Sequence, residues 1–574
     1  MDVPGRTPTP DRRGGLSEPP PGGRRSERRP GEVSPHPAAA EPPPQGGARL
    51  ARSAGLIGLA TASSRVLGLG RDLALAHVFG ASHAMDAYVV AFRIPNLLRD
   101  LFAEGAMSSA FVPTFTRILT LEGKAAAWRL GNLVVTALLL VTGALVLVGM
   151  VFTWPLVTFA ASGYAAVPGK LELAVSLARV MFPFLTLIAV AVGFMGMLNS
   201  LGRFFVPAFS PAMFNIGTLA TMAVLIPIFR ANGVPPIYAV AIGTLVGGIG
   251  QAAVQWPVLQ REGFRFRPMI DVRDAGLREV LTLMGPGTMA LAAVQINVLI
   301  NTMLATSQGE GAASWLNYAF RIMYLPIGLF GLSIATAAIP NLSRDAALDD
   351  RDGMRRTISS ALRMMLMLTV PATLGLVALA THIVALIFQH GSFTADATVG
   401  TAAALVCYAP GLVGYSAVKL AVPAFYALRD SRTPVIVGAV SVGFNVALNL
   451  ALVRWLGVRG LALGTAASAL FNATVLLWLL RRRLGGIDGR RVALALAKIT
   501  GAALVMALAA WGAARALETA LPGASVSLKL LRVGAGIGSG VAVLALAARV
   551  LRIAEFDGAR RAVLARLFPA KAAQ

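Results

Sequence analysis

Beyond residue 50 the chain repeats one pattern: a run of twenty or more mostly apolar residues, then a short break rich in glycine, proline or charge. The pattern recurs fourteen times, from 54–79 to 530–551. A run of about 20 apolar residues spans the hydrocarbon core of a bilayer as a helix. Lipid offers backbone N–H and C=O groups no partners, so each run must satisfy its own, and a helix does so. The pattern therefore predicts an all-α polytopic membrane protein of about fourteen transmembrane helices. The first fifty residues read in the opposite way, with 12 of the chain's 33 prolines, eight arginines, six acids and no apolar periodicity. They are expected to form a disordered tail, and they lack the compact apolar stretch of a cleavable signal.

The breaks fix an expected orientation. With the amino end in the cytoplasm, the cytoplasmic connections carry 20 Lys and Arg, about three times the number on the opposite side. Both termini are then cytoplasmic. The runs Arg261-Glu-Gly-Phe-Arg-Phe-Arg and Arg481-Arg-Arg fit topology anchors.

The chain also repeats itself on a longer scale. Ala91-Phe-Arg-Ile, Leu97, Leu101-Phe102, Pro113 and Arg117 match Ala319-Phe-Arg-Ile, Leu325, Leu329-Phe330, Pro340 and Arg344, at an offset of 228 that slips to 227. This relates the second apolar run to the eighth. Six helices separate the copies, so both have one orientation, which predicts two parallel six-helix lobes facing a central site. The expected divisions are a tail over 1–50, an amino-terminal lobe over 51–270, a carboxy-terminal lobe over 271–485, helices 13 and 14 over 486–555 as an appendage, and a basic tail over 556–574.

Composition narrows the function classes. The chain is 56% hydrophobic and 14% charged, with a mean hydropathy of +0.69, which places it among membrane proteins. The net charge of +24 is accounted for by retained loops rather than by nucleic acid. One cysteine, Cys407, excludes a disulfide framework or thiolate cluster. His36, His77, His83, His382 and His390 have no metal-pair spacing, and no phosphate-binding loop is present, so neither a metal cofactor nor direct use of ATP is expected.

The candidate chemistry lies in charges within the apolar runs, each costing about 2.5–3.5 kcal/mol to insert. Helix 1 holds Arg65, Arg71 and Asp72. Arg65 and Asp72 share a face, and either pair with each other or, if Gly68 and Gly70 bend the helix, leave both arginines facing one cavity. Helix 2 holds Asp86, Arg93, Arg99, Asp100 and Glu104, with Arg93 and Asp100 spaced to pair and Arg99 expected to face substrate. In the second copy Asp86, Arg99, Asp100 and Glu104 become Ser314, Ile327, Gly328 and Leu332, whereas Arg93 becomes Arg321. Arg321 has no carboxylate near it on its own helix and would be satisfied by a diphosphate. Lys419 reads as a cavity cation or a snorkelling residue. Asn445 and Asn449, one turn apart, read as oxygens of a cation site or as interhelical hydrogen bonding.

Ser64-Arg-Val-Leu-Gly-Leu-Gly-Arg-Asp72, Phe79-Gly-Ala, Asp86-Ala-Tyr, Pro95-Asn-Leu-Leu-Arg99 and Phe102-Ala-Glu-Gly-Ala-Met-Ser-Ser-Ala-Phe-Val-Pro113 closely resemble the MurJ (MviN) family of lipid II flippases. Further likeness lies at Asn199-Ser-Leu-Gly-Arg-Phe, Pro207-Ala-Phe-Ser-Pro211, Gly285-Pro286, Gln389-His-Gly-Ser-Phe393 and Pro423-Ala-Phe-Tyr-Ala427. The resemblance covers residues 54–555. It implies a non-enzymatic transporter of the multidrug/oligosaccharidyl-lipid/polysaccharide exporter superfamily in the bacterial inner membrane. Such a protein moves undecaprenyl-diphosphate-linked disaccharide-pentapeptide, lipid II, to the periplasmic leaflet for peptidoglycan synthesis, among membrane lipids and alongside cell-wall synthesis proteins. An exporter of another polyprenyl-linked glycan and an ion-coupled drug antiporter are the alternatives. By the resemblance Arg65, Arg71, Arg99 and Arg321 are cavity arginines, Ser64 a small cavity residue and Asp86 a required acid, while helices 13 and 14 line a groove for the lipid tail. Two positions depart from the family pattern: Phe320 stands where many members have an acid beside the helix 8 arginine, and Asn449 where some have a sodium-binding carboxylate. Coupling to membrane potential, Na+ or H+ stays open.

Overall fold

The computed structural model describes the backbone of residues 45–101 and 110–558, and the side chains of 58–101, 110–284 and 294–558. Among these residues every regular element is helical. Helix α1 (Gln45–Phe79) is continuous, so Gly68 and Gly70 do not break it. Helix α2 (His83–Arg99) runs into a π-type turn at Asp100–Leu101, and α3 (Val112–Leu121) follows. The third crossing is α4 (Lys124–Val151) with the short α5 (Thr153–Ala160), and the fourth is α6 (Lys170–Met181) with α7 (Phe184–Ser200). Helices α8 (Phe205–Ala231) and α9 (Tyr238–Arg261) complete the first six.

The second set opens with α10 (Ala275–Thr306). The eighth crossing is α11 (Ala312–Pro326), a π-helical turn at Ile327–Gly331, and α12 (Leu332–Ala347). Then come α13 (Arg351–Ala378) with α14 (Ala380–Ile387), α15 (Ala395–Tyr408) with α16 (Gly411–Ala427), α17 (Arg432–Leu456) and α18 (Val458–Leu484). Helices α19 (Gly489–Ala520) and α20 (Val526–Val550) pack on each other and, through α13 and α14, on the second set.

Ten of these crossings are long and apolar enough to traverse a membrane, or eleven with α15 and α16, which meet at a 44° bend. Of the other three crossings, α1 carries Arg65, Arg71 and Asp72 in its apolar stretch, α2 adjoins residues outside those described, and the side chains of 285–293 within α10 are outside them. A total of fourteen is compatible with this count.

The internal repeat extends to the element boundaries. Helices Lys124–Val151 and Arg351–Ala378 lie 227 positions apart at both ends, as do Thr153–Ala160 and Ala380–Ile387, and Phe184–Ser200 and Gly411–Ala427. The break in the fourth crossing falls at Phe182-Pro183 and that in the tenth at Ala409-Pro410, again 227 apart. Proline removes one backbone donor and its ring clashes with the preceding turn, so both lobes bend their fourth helix at one place. Helix α10, expected to belong to the second lobe, packs on α17 and also on α3, α4 and α5 of the first.

Odd-numbered crossings finish at one end of the bundle, here the distal end, and even-numbered ones at the proximal end. Contacts between turns respect this parity. At the proximal end Glu262 accepts from Arg203 at 2.8 Å and from Lys124 at 3.3 Å, and Arg483 pairs with Asp430 at 2.6 Å. At the distal end His83 meets Glu310 at 3.0 Å, and the Ser392 N–H donates to the His77 carbonyl at 2.8 Å. Gly80 and Gly391 permit that approach, since a Cβ on either would lie 2.3 Å from a backbone oxygen of the other segment.

Hydrogen bonds from Arg203 and Lys124 hold the Glu262 carboxyl below its ordinary 4.5. A depressed carboxylate contributes stability above its ordinary value that is lost as pH falls through the folded one. The tie is near the surface and is worth less than about 1 kcal/mol. Intrinsic-rate-corrected hydrogen exchange in the turn after Arg261 should therefore rise only under acid, whereas Glu262→Gln should show that faster exchange already at neutral pH.

Candidate functional site

Helices α1 and α11 run antiparallel and bring the two lobes into contact along a row of charges. Asp72, on α1, accepts from Arg71 Nη2 through Oδ1 at 2.9 Å. Its other oxygen, Oδ2, receives Arg321 Nε from α11 at 3.2 Å. Seven residues nearer the proximal end on each helix, Arg65 reaches the π turn, where a Cβ on Gly328 would lie 2.8 Å from its Nη1. Two matched contacts seven residues apart put the Arg65–Asp72 face of α1 against helix 8. That shared face was legible from spacing alone.

The pairings on it differ from expectation. Arg65 does not pair with Asp72; Arg71 is buried, 5.3 Å over the Phe214 ring, and takes one carboxylate oxygen. Arg321, without a carboxylate near it on its own helix, obtains one from the opposite lobe. Phe320 beside it stacks on Tyr324 and packs edge-on to Tyr408 and Tyr415. Asp72 thus supplies the carboxylate that position 320 does not. Arg321 keeps nearly half its side chain exposed and uses only Nε on protein, so among the described residues its terminal nitrogens have no partner.

Helix α2 faces the same space. Arg99, not Arg93, pairs with Asp100, through Nη2 at 2.6 Å and Nε at 3.0 Å. Asp100 also accepts from Asn96 at 3.3 Å and from Gln295 of α10 at 3.1 Å. Adjacent residues diverge on a regular helix, but a long guanidinium folds back onto its neighbour here as Arg71 does onto Asp72. Arg93 is left without a carboxylate partner among the described residues, and its buried Nε has no hydrogen bond. Its electrostatic neighbours are Tyr408, Asp100 and Arg321. At ~1.5 Å per residue from the distal helix ends, Arg71, Arg93 and Arg321 lie at depths of about 12–15 Å, and Arg65 and Arg99 at about 21–24 Å. Glu104 lies outside the described residues.

Asp86 occupies a second, fully buried interlobe centre nearer the distal end. Its Oδ2 accepts from Lys170 Nζ at 2.9 Å and the Gly311 N–H at 2.8 Å, and its Oδ1 from the Ser314 N–H at 3.0 Å and hydroxyl at 2.7 Å. It therefore caps the first turn of α11 from the other lobe, where orphan N–H groups attract an anion. Asp86 and Ser314 are equivalent positions of the repeat, so their contact places the pseudo-twofold axis between α2 and α11. Lys170, whose ammonium also lies 4.2 Å over the Tyr164 ring, was missed by sequence reading. The available signal was its rarity: few basic residues stand in distal connections.

Ser64 is half-buried, and its carbonyl accepts from Asn215 of α8 at 3.2 Å. Lys419 is exposed on α16. Asn445 and Asn449 join Asn301 of α10: Asn449 donates to Asn445 at 3.0 Å and also to Asn301, and Asn301 donates to Asn445 at 3.2 Å. The donors of Asn301 and Asn449 are spent on the cluster's own oxygens, Asn445 Nδ2 is buried and unbonded, and among the described residues no carboxylate joins this neutral cluster. Asn449 Oδ1 is unbonded but pressed against Gly464, whose added Cβ would lie 1.9 Å from it. These residues do not fit a charged cation site, which draws on carboxylates and several free oxygens.

Comparison with known proteins gives one answer. The chain is 35% identical over 427 residues to the lipid II flippase MurJ of Burkholderia cenocepacia, covering 74% of this chain and 82% of that one. It is 35% identical over 438 residues to the probable lipid II flippase MurJ of Vibrio cholerae, covering 75% and 82%. A solved lipid II flippase MurJ in an inward closed conformation superposes with a TM-score of 0.70 at 25% identity, over 86% of this chain and 99% of that one. An inward-facing multidrug transporter of the MATE family shares the fold at a TM-score of 0.62 and 16% identity, over 74% and 96%. The family model for the lipid II flippase MurJ matches residues 75–530, so this chain, a multi-span membrane transporter, belongs to the MurJ family of lipid II flippases.

Proposed function

We propose that this protein moves lipid II from the cytoplasmic to the periplasmic leaflet of the bacterial inner membrane by alternating access, with both termini cytoplasmic and the distal end periplasmic. The carrying observation is the arginine row between the lobes, in which Asp72 holds Arg71 and Arg321 together while Arg65 and Arg93 have no carboxylate partner among the described residues. A diphosphate presents several oxygens to several guanidinium forks, an arrangement that suits arginine better than lysine. A cationic drug would meet repulsion in the same space, which disfavours the antiporter reading. Asp72 serves as the internal counter-ion before substrate arrives, and the diphosphate competes for the same donors. The polyprenyl tail follows the apolar surface of α19 and α20.

We further propose that the drive is the membrane potential acting on the substrate's own charge, about 2.3 kcal/mol per elementary charge per 100 mV. The asparagine cluster supports independence from sodium. Replacing Na+ by K+ on both sides of inverted vesicles should leave the initial rate of lipid II translocation unchanged, and a tenfold fall would overturn this part of the reading.

The reading as a whole is tested by depleting a bacterium of its own lipid II flippase and supplying this chain. Growth and lipid II exposed at the outer leaflet should return with the wild type, whereas correct insertion without rescue would direct the search to another polyprenyl-linked glycan.

A further inference from the structure

A second basic site lies away from the arginine row, at the distal end of the second lobe. The turn between α14 and α15 and the turn between α19 and α20 enclose a pocket of about 210 Å³, lined by Thr381, His382, Gln389, Thr398, Lys529 and Arg532 among others. Lys529 and Arg532 stand three residues apart on the first turns of α20, hence on one face, and are only 8% and 9% exposed.

Neither cation meets a carboxylate at ion-pair distance among the described residues. Lys529 Nζ donates to the Gln389 carbonyl at 2.8 Å. Arg532 Nη2 donates to the carbonyls of Leu521 at 2.7 Å and Gly523 at 2.9 Å, and its buried Nε has no partner. The carboxylate in the pocket wall, Glu518, is engaged by Arg515 at 2.7 Å and faces His382 at 3.8 Å. Counting Lys529, Arg532, Arg515 and Glu518, the site carries net positive charge with His382 neutral. Burying uncompensated charge is costly, and backbone carbonyls only partly offset it. The positive-inside tendency does not account for basic residues at this end either.

We propose that this pocket binds a phosphate-bearing anion, the phosphodiester of an anionic phospholipid headgroup or free phosphate, with Lys529 and Arg532 as its charge partners and the Thr381 hydroxyl as a further donor. The volume admits a phosphate with a glycerol-sized substituent but not a disaccharide-peptide, so the site is separate from the transport cavity. An anion bound here would pin the α19–α20 turn to the turn after α14.

The test uses the full-length protein in neutral detergent and follows its thermal midpoint against three probes: dihexanoyl phosphatidylglycerol, dihexanoyl phosphatidylcholine and inorganic phosphate. Saturable stabilisation by phosphatidylglycerol but not by phosphatidylcholine is expected, persisting in Arg321→Ala, which removes a main-cavity cation. The Lys529→Gln/Arg532→Gln double variant should lose at least tenfold in apparent affinity. Because that variant also gives up contacts to two turns, Thr398→Leu, which fills the pocket and spares both cations, should show the same loss. Stabilisation by inorganic phosphate equal to that by phosphatidylglycerol supports the site with free phosphate as its source. Absence of saturable stabilisation by either anion, equal stabilisation by phosphatidylcholine, or undiminished affinity in a folded Thr398→Leu protein would overturn the proposal.

Discussion

Asp86→Ala will lower the thermal midpoint of the purified protein more than any surface substitution, because it removes one carboxylate from four partners at once. Lys170 is left buried without a counter-ion, its side chain only 2% exposed. Breaking a buried pair from one side costs about 3–5 kcal/mol, and the orphaned Gly311 and Ser314 N–H groups add to it. The two parts of the loss are separable. Asp86→Leu combined with Lys170→Met removes both charges and should recover much of the stability, since a neutral apolar pair of similar volume replaces a buried ion pair at little cost. It should not restore the cap on α11, which crosses the lobes. In a background with Cys407 replaced, a cysteine at the buried position Ala313 should therefore label faster with an impermeant maleimide in both variants. An unchanged midpoint in Asp86→Ala would show that the four contacts contribute little.

Arg321→Ala should reduce transport by about tenfold to a hundredfold, corresponding to about 1.5–3 kcal/mol for hydrogen bonds to a charged group. Arg321→Lys should recover little, because lysine keeps the charge but loses the planar fork. Asp72→Asn provides the complementary result. An amide offers one oxygen where the carboxylate offers two, so it can hold Arg71 or Arg321 but not both. Transport should fall, and the midpoint should fall with it, since Arg71 is left buried without its counter-ion while the exposed side of Arg321 can be satisfied by water. Outer-leaflet lipid II in the complemented strain reads both effects, and full activity of Arg321→Lys would remove the case for bidentate recognition.

The spans and the repeat were legible in the sequence because each rests on local pattern: apolar length for the helices, and a shared Ala-Phe-Arg-Ile for the two lobes. The face joining Arg65 to Asp72 was legible too, since helical spacing fixes it. The partners were not. Asp72 finds Arg321 and Asp86 finds Gly311 across 225–249 positions of chain, and periodicity carries no information about what a second lobe presents. Arg99 with Asp100 failed for another reason: helical spacing discounts adjacent residues, yet a long guanidinium folds back onto the next carboxylate, as Arg71 also does onto Asp72. Lys170 was missed because its partner lies 84 residues away.

Alternating access requires the distal contacts between the lobes to separate in every cycle. The decisive measurement joins His83→Cys to Glu310→Cys, at the surface pair now 3.0 Å apart, in a protein with Cys407 replaced. A short bifunctional methanethiosulfonate is then applied, and lipid II translocation is measured before and after reduction. Quantitative crosslinking should stop translocation, and reduction should restore it. Translocation continuing at its original rate through the crosslinked protein would contradict a mechanism in which the lobes part at this end.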